Sequence, residues 1–189
     1  MNIKFISVDL QKDFSAKGGT HYRVRPAVSF IKNVLLPYLE KRKIKVSEIV
    51  SDYRREYGRK DNDACIPGTW GYASEMPVKN KNSNVWIKCQ NSPIWITKNI
   101  GDPMKRPGMP YQDPKAFSRW LNDAVGKPED VDLVVLVGLT LDSLLGFIPS
   151  QLAASSGHPG IFQSCEKYPG SIQYSHLDSG SRAGMTPLG

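Results

Sequence analysis

Phe5-Ile6-Ser7-Val8-Asp9-Leu10-Gln11-Lys12-Asp13-Phe14 is the stretch that decides the fold. Its first half is an apolar, β-branched run near the N-terminus, the pattern of a strand buried on both faces. Asp9 stands where that run stops. In open parallel sheets ligands bind beyond the carboxyl ends of the strands, so a carboxylate there faces the expected site. The competing reading is an Asp that only caps a turn. A second run, Asp132 to Leu139, is unbroken and apolar, and is the most strand-like in the chain. Lys4 to Val8 and Asp132 to Val137 are predicted as inner, parallel neighbours of one sheet.

Between and around these runs, strand and helix patterns alternate. Pro26 suits a first helical turn, and Val28, Ile31, Val34, Leu35, Tyr38 and Leu39 recur at helical spacing, with Pro37 expected to kink or shorten the helix. Val46 to Asp52 reads as a strand that Glu48 interrupts, and Val85 to Cys89 and Ile94 to Thr97 read as short strands. Asp113-Pro114 opens a helix with an apolar face of Ala116, Phe117, Trp120, Leu121, Ala124 and Val125, and Gly126 suits its C-cap. Such alternation argues for a three-layer α/β/α domain with a largely parallel central sheet. The domain is expected over residues 1–165. Residues 166–189, mostly Ser, Gly, Tyr and polar types, are expected as an irregular or disordered tail.

A chain of 189 residues with 40% hydrophobic and 23% charged residues fits one soluble globular domain. No apolar run reaches the ~20 residues that cross a bilayer, and Met1-Asn2-Ile3-Lys4 leads straight into a strand, so a cytoplasmic protein without membrane partners is expected. Cys65, Cys89 and Cys165 lack metal-ligand spacing and are expected as reduced thiols. The net charge of +7 admits nucleic acid or anionic substrates. Yet the basic residues from Lys41 to Lys60 are interleaved with Glu48, Asp52 and Glu56, and no RNA-binding or zinc-finger signature accompanies them. A solvated mixed surface is expected, not a nucleic-acid face.

Val8-Asp9-x-Gln11-x-Asp13-Phe14 resembles the opening motif of the isochorismatase-like hydrolases, the family that includes nicotinamidases and other cysteine hydrolases. Cys65-Ile66-Pro67-Gly68-Thr69-Trp70-Gly71 and Val134-Val135-Leu136-Val137-Gly138-Leu139, followed by Thr140-Leu141-Asp142, support the resemblance in the expected order. A strand-end lysine, Lys98, lies between them. The resemblance covers roughly residues 3 to 157 and fades after that. It implies a catalytic pair of Asp9 and Lys98, with Gln11, Phe14, Trp70, Leu139 and Thr140 around a small-molecule substrate. It also implies a non-proline cis peptide at Leu139-Thr140. No cofactor is expected, and a homo-oligomer is.

Two departures bear on the chemistry. The family's nucleophile sits in a Gly-x-x-Thr-Asp-x-Cys-Val phrase, whereas this chain reads Gly138-Leu139-Thr140-Leu141-Asp142-Ser143-Leu144-Leu145. Leu144 stands at the position of the missing cysteine, and Ser143, about 100° away on a helix, points elsewhere. Many family members also carry an Asp-x-His pair that contributes metal ligands in the nicotinamidases. Here the chain has Asp52-Tyr53-Arg54, so no bound metal is expected. Two functions remain open. One is a hydrolase without covalent catalysis, with Asp9 as acid/base and Lys98 as its electrostatic partner. The other is a catalytically degenerate member that binds a small molecule or a protein. Intact Asp9, Gln11 and Lys98 favour the first, and bulky Leu144 the second.

Overall fold

The computed structural model describes residues 2–54, 63–77, 79, 81–127 and 130–139, together with the backbone of 161–163 and 173–176. In chain order the elements are β1 (Ile3–Val8), α1 (Lys12–Ser15), α2 (Pro26–Phe30), a π-helical segment (Ile31–Leu35) and α3 (Leu36–Lys41). They continue with β2 (Val46–Ser51), β3 (Lys81–Lys88), β4 (Trp95–Ile96), β5 (Tyr111–Gln112), α4 (Pro114–Val125), β6 (Leu133–Gly138), β7 (Ile161–Gln163) and β8 (Gln173–His176).

Among the described residues, six strands form one sheet in the order β3-β2-β1-β6-β8-β7. The first four are mutually parallel, while β8 runs antiparallel to β6 and β7 antiparallel to β8. The two apolar runs are therefore inner neighbours, with Ile3 opposite Leu133 and Val8 opposite Gly138. β8 corrects one expectation. Residues 173–176 lie in the central sheet, so the chain after 165 is not an irregular tail throughout. Ser and Tyr in that segment had masked a strand whose partner supplies the missing order.

Alternation along the strands sends side chains to two cores. On one face Phe5, Val135 and Val137 pack with Ile31, Leu35, Leu36 and Leu39 of the α2–α3 helix. On the other, Ile6, Val8, Ile49, Val134 and Leu136 pack with Phe117, Trp120, Leu121 and Val125 of α4. Helices thus cover both faces, which is the three-layer α/β/α arrangement. α4 begins as its sequence dictates: the Asp113 Oδ1 accepts from the Ala116 N–H at 2.8 Å, and Gly126 closes the helix with φ of 92°.

Pro37 acts differently from a simple kink. It falls in the first turn of α3, directly after the π-helical segment, where the wider turn relieves the proline ring of its clash with the preceding carbonyls. The extra residue also rotates the apolar stripe, leaving Val34 and Tyr38 about half exposed while Ile31, Leu35, Leu36 and Leu39 are buried. Glu48 does not interrupt β2. It is buried because Lys81 on β3 pairs with its Oε2 at 3.1 Å and the Ser74 hydroxyl donates to Oε1.

Candidate functional site

Where β1 ends, Asp9 takes a left-handed backbone with φ of 50°, an uncommon conformation for a residue with a Cβ. Its N–H donates to the Ile49 carbonyl at 2.9 Å, which ties the bend to the neighbouring strand β2. The turn aims the carboxylate across the ends of β2 and β3. Oδ1 accepts from the Ser51 hydroxyl at 2.7 Å, and Oδ2 pairs with the Lys88 ammonium at 2.9 Å. Ser51 and Lys88 are the last residues of β2 and β3 and face each other in the strand register. Three adjacent parallel strands therefore deliver one residue each to a single point.

The cluster is closed around Lys88. Its Nζ donates to Asp9 Oδ2, to Ser51 Oγ at 2.8 Å and to Tyr53 Oη at 2.9 Å, so all three ammonium hydrogens have acceptors. Asp9, Ser51 and Lys88 are fully buried, each at 0% exposure. Burial works against the Lys88 cation, but Asp9 and then Tyr53 outweigh it and hold the ammonium above the ordinary lysine range. The Tyr53 phenol is likewise raised, by burial first and the Asp9 charge second, with Lys88 opposing.

The lysine on Asp9 is thus Lys88, not Lys98. Lys98 follows β4, which among the described residues pairs with β5 in a two-stranded ribbon apart from the main sheet, and it is exposed. β3 pairs with β2 in the main sheet, and its last residue, Lys88, lies opposite Ser51 beside the end of β1. Gln11 is placed near Asp9 but braces the frame. Its Nε2 donates to the Ser51 and Tyr72 carbonyls at 3.0 and 3.1 Å, and its Oε1 accepts from the Ser51 N–H at 2.7 Å. Phe14 is buried, stacked on His21 and edge-on to Tyr53. Leu139 is buried in the same core, its N–H on the Val8 carbonyl at 3.2 Å. Trp70, expected as a wall, is 52% exposed with the Lys12 ammonium 5.5 Å from its ring centre. Thr140 and Leu144, with the expected cis bond at Leu139-Thr140, lie outside the described residues.

Asp13, the last acid of the opening phrase, holds the loop that carries Cys65. Its carboxylate accepts from the Cys65 N–H at 2.6 Å and from the Thr20 N–H and hydroxyl at 3.0 and 3.2 Å. Cys65 sits at φ of 54°, fully buried, and burial, then Asp9 and Asp13, push its thiol far up. Such a thiol packs and does not attack.

Asp52 answers the question of a metal. Its Oδ1 accepts from the Arg54 Nε at 2.9 Å, and its Oδ2 from Arg54 Nη2 at 2.7 Å and the Gly101 N–H at 2.9 Å. Arg54 Nη1 goes on to the carbonyls of Asp102 and Lys105, both at 2.9 Å. A guanidinium stands where a ligating imidazole would be needed, and the carboxylate is taken. These residues do not fit the metal of the nicotinamidases.

Ser51, Tyr53, Arg54 and Lys88 are the site residues that sequence reasoning missed. Lys88 had a signal, since it closes the Val85-Trp86-Ile87 strand. Ser51 had only its place one residue before the strand-end Asp52.

Among solved structures, an isochorismatase-like hydrolase from Alkaliphilus metalliredigens is similar to this chain, with 17% identity and a TM-score of 0.47. The match covers 82% of this chain and 76% of that one. It is a likeness of chain path and says nothing of activity. No family model and no curated protein matches the chain.

Proposed function

We propose that the protein is a hydrolase of the isochorismatase-like type acting on a small molecule, with Asp9 as acid/base and Lys88 as its electrostatic partner. The observation that carries this reading is the buried Asp9–Lys88 pair at the carboxyl ends of parallel strands. Burying two charges costs several kcal/mol per ion before their attraction is counted, and packed apolar residues would serve stability as well. Strained, buried, paired ionisable groups at strand ends gather at working sites. The Asp9 carboxylate takes a proton from the water that adds to the substrate and gives that proton to the departing group, so Asp9 ends ionised as it began. Lys88 fixes the carboxylate and balances its charge through the cycle. No nucleophilic cysteine enters this scheme.

The test is turnover of small enol ethers, isochorismate among them, and of small amides. Positioned acid–base groups contribute about 10²–10⁴-fold, so Asp9→Asn should lower turnover by that factor. Turnover that Asp9→Asn leaves unchanged removes Asp9 from the mechanism.

One observation favours a second reading, a binding module that has lost turnover. All three Lys88 hydrogens are already accepted within the protein. Under that reading the pair is a structural lock, no substrate is consumed, and Asp9→Asn has no activity to remove.

A further inference from the structure

Asp9, Ser51 and Lys88 are buried, so an acid at this point needs a carrier to reach anything outside. Tyr53 is the half-buried member of the same network. Its oxygen accepts a Lys88 hydrogen at 2.9 Å, and its own proton is given outward, to the Asn91 Oδ1. The exposed Asn91 Oδ1 stands on that outer side at 3.5 Å. The ring is held in place rather than left to swing. The Lys88 ammonium lies 5.1 Å from its centre, Phe14 meets it edge-on at 6.3 Å, and the Tyr53 N–H donates to the Ala64 carbonyl at 3.2 Å.

We propose that the Tyr53 hydroxyl carries protons between the buried Asp9–Lys88 pair and the outer face of the site. The O–H bond of Tyr53 breaks toward an acceptor on that face, an atom of the substrate during turnover. The phenol oxygen takes one Nζ hydrogen from Lys88, and Lys88 takes the proton of the Asp9 carboxyl. One proton has then moved from Asp9 to the acceptor's lone pair, and Tyr53 and Lys88 end as they began. The reverse sequence refills Asp9. The inference deepens the hydrolase reading and rests on it for the acid role of Asp9.

Its test needs no substrate. Exchange of the Lys88 Nζ hydrogens with solvent is followed by NMR on 15N-labelled protein. Tyr53→Phe keeps the ring and its contacts but removes the carrier, and exchange should slow about a hundredfold, the lower end of what a positioned proton carrier contributes. A rate in Tyr53→Phe equal to or above that of the unaltered protein overturns the proposal. A difluorotyrosine placed at position 53 keeps shape and hydrogen bonds while making the phenol more acidic. It should speed exchange, whereas a purely structural hydroxyl leaves the rate unchanged, and that result also overturns the proposal. Absence of turnover on every enol ether and amide would remove the hydrolase reading while the exchange rates still decide Tyr53. Turnover that Tyr53→Phe leaves intact would remove Tyr53 and keep the hydrolase.

Discussion

With all three Lys88 hydrogens accepted and Asp9 buried against it, removing either partner strands the other as a charge without water. Breaking such a pair costs about 3–5 kcal/mol, whereas replacing both partners by apolar residues is often neutral. Lys88→Met should therefore lower stability by about 3–5 kcal/mol in urea unfolding, and Asp9→Leu combined with Lys88→Met should recover most of that loss. A double variant as unstable as the single one would show that Ser51 and Tyr53 need the charges themselves. Thiols give a second expectation at this scale. Burial pushes the Cys65 thiol far up and the Cys89 thiol up to about 11. With Cys89→Ser and Cys165→Ser to remove the other thiols, the fully buried Cys65 should not react with a disulfide reagent at pH 8 until the protein is unfolded. Rapid labelling of that thiol in the folded protein would contradict the burial described for it.

At the scale of elements, two glycines separate close approach from backbone freedom. A Cβ on Gly138 would lie 2.0 Å from the Val8 carbonyl oxygen, because β6 ends hard against β1. A Cβ on Gly126 would meet nothing within 4 Å, and only its φ of 92° resists a side chain. Gly138→Ala should cost about 3 kcal/mol or more, the upper end of overpacking, and Gly126→Ala about 1 kcal/mol. Equal losses by thermal unfolding would contradict the close approach. The same scale explains what the sequence made legible. β1 and β6 declared themselves because an inner parallel strand is apolar on both faces, a local property of Phe5 to Val8 and Val134 to Val137. Asp9 followed from its place at the end of such a run. Lys88 and Lys98 could not be told apart locally, since each stands at the end of an apolar run that carries a tryptophan, Trp86 or Trp95. What separates them is membership of the main sheet, and that depends on Ile49 and Val50 pairing with Trp86 and Ile87. Tyr53 and Arg54 were read only as absent histidines: Tyr53 meets Lys88 across 35 residues of chain, and the pairing of Arg54 with Asp52, two residues before it, is a side-chain geometry that spacing alone does not show.

Across the whole molecule, alkali should loosen the fold before acid chemistry is reached at any of these groups. Burial raises Tyr72 to about 12 and Cys89 to about 11, so the folded state holds these protons more tightly than the unfolded chain does. Lys88 is raised as well, by Asp9 against the pull of burial. Groups raised on folding contribute stability that is complete below their unfolded values and is lost as pH climbs toward the folded ones. Stability from these groups should therefore stay level up to about pH 8.5 and decline from about pH 9 to 12. Urea midpoints at pH 7, 9 and 10.5 check the direction, and a midpoint that rises between pH 9 and 10.5 would contradict it.

The order of strands in the sheet has a consequence for synthesis. β1 is made before the rest of the sheet, and β2, the next strand in the chain, pairs with one of its edges. Its other edge waits for β6, which begins roughly eighty residues after β2 ends. At ~5–20 residues per second, a ribosome needs on the order of ten seconds to cover that distance. Throughout that interval the apolar strand bearing Asp9 has one open edge, the condition under which nascent chains pair with the wrong strand or with each other. β6 in turn waits for β8 on its far side. A growing chain of this protein should therefore gain from anything that shields unpaired strands at the ribosomal exit. Its yield in a cell should respond to elongation rate between residues 51 and 133 more than to elongation rate near either end.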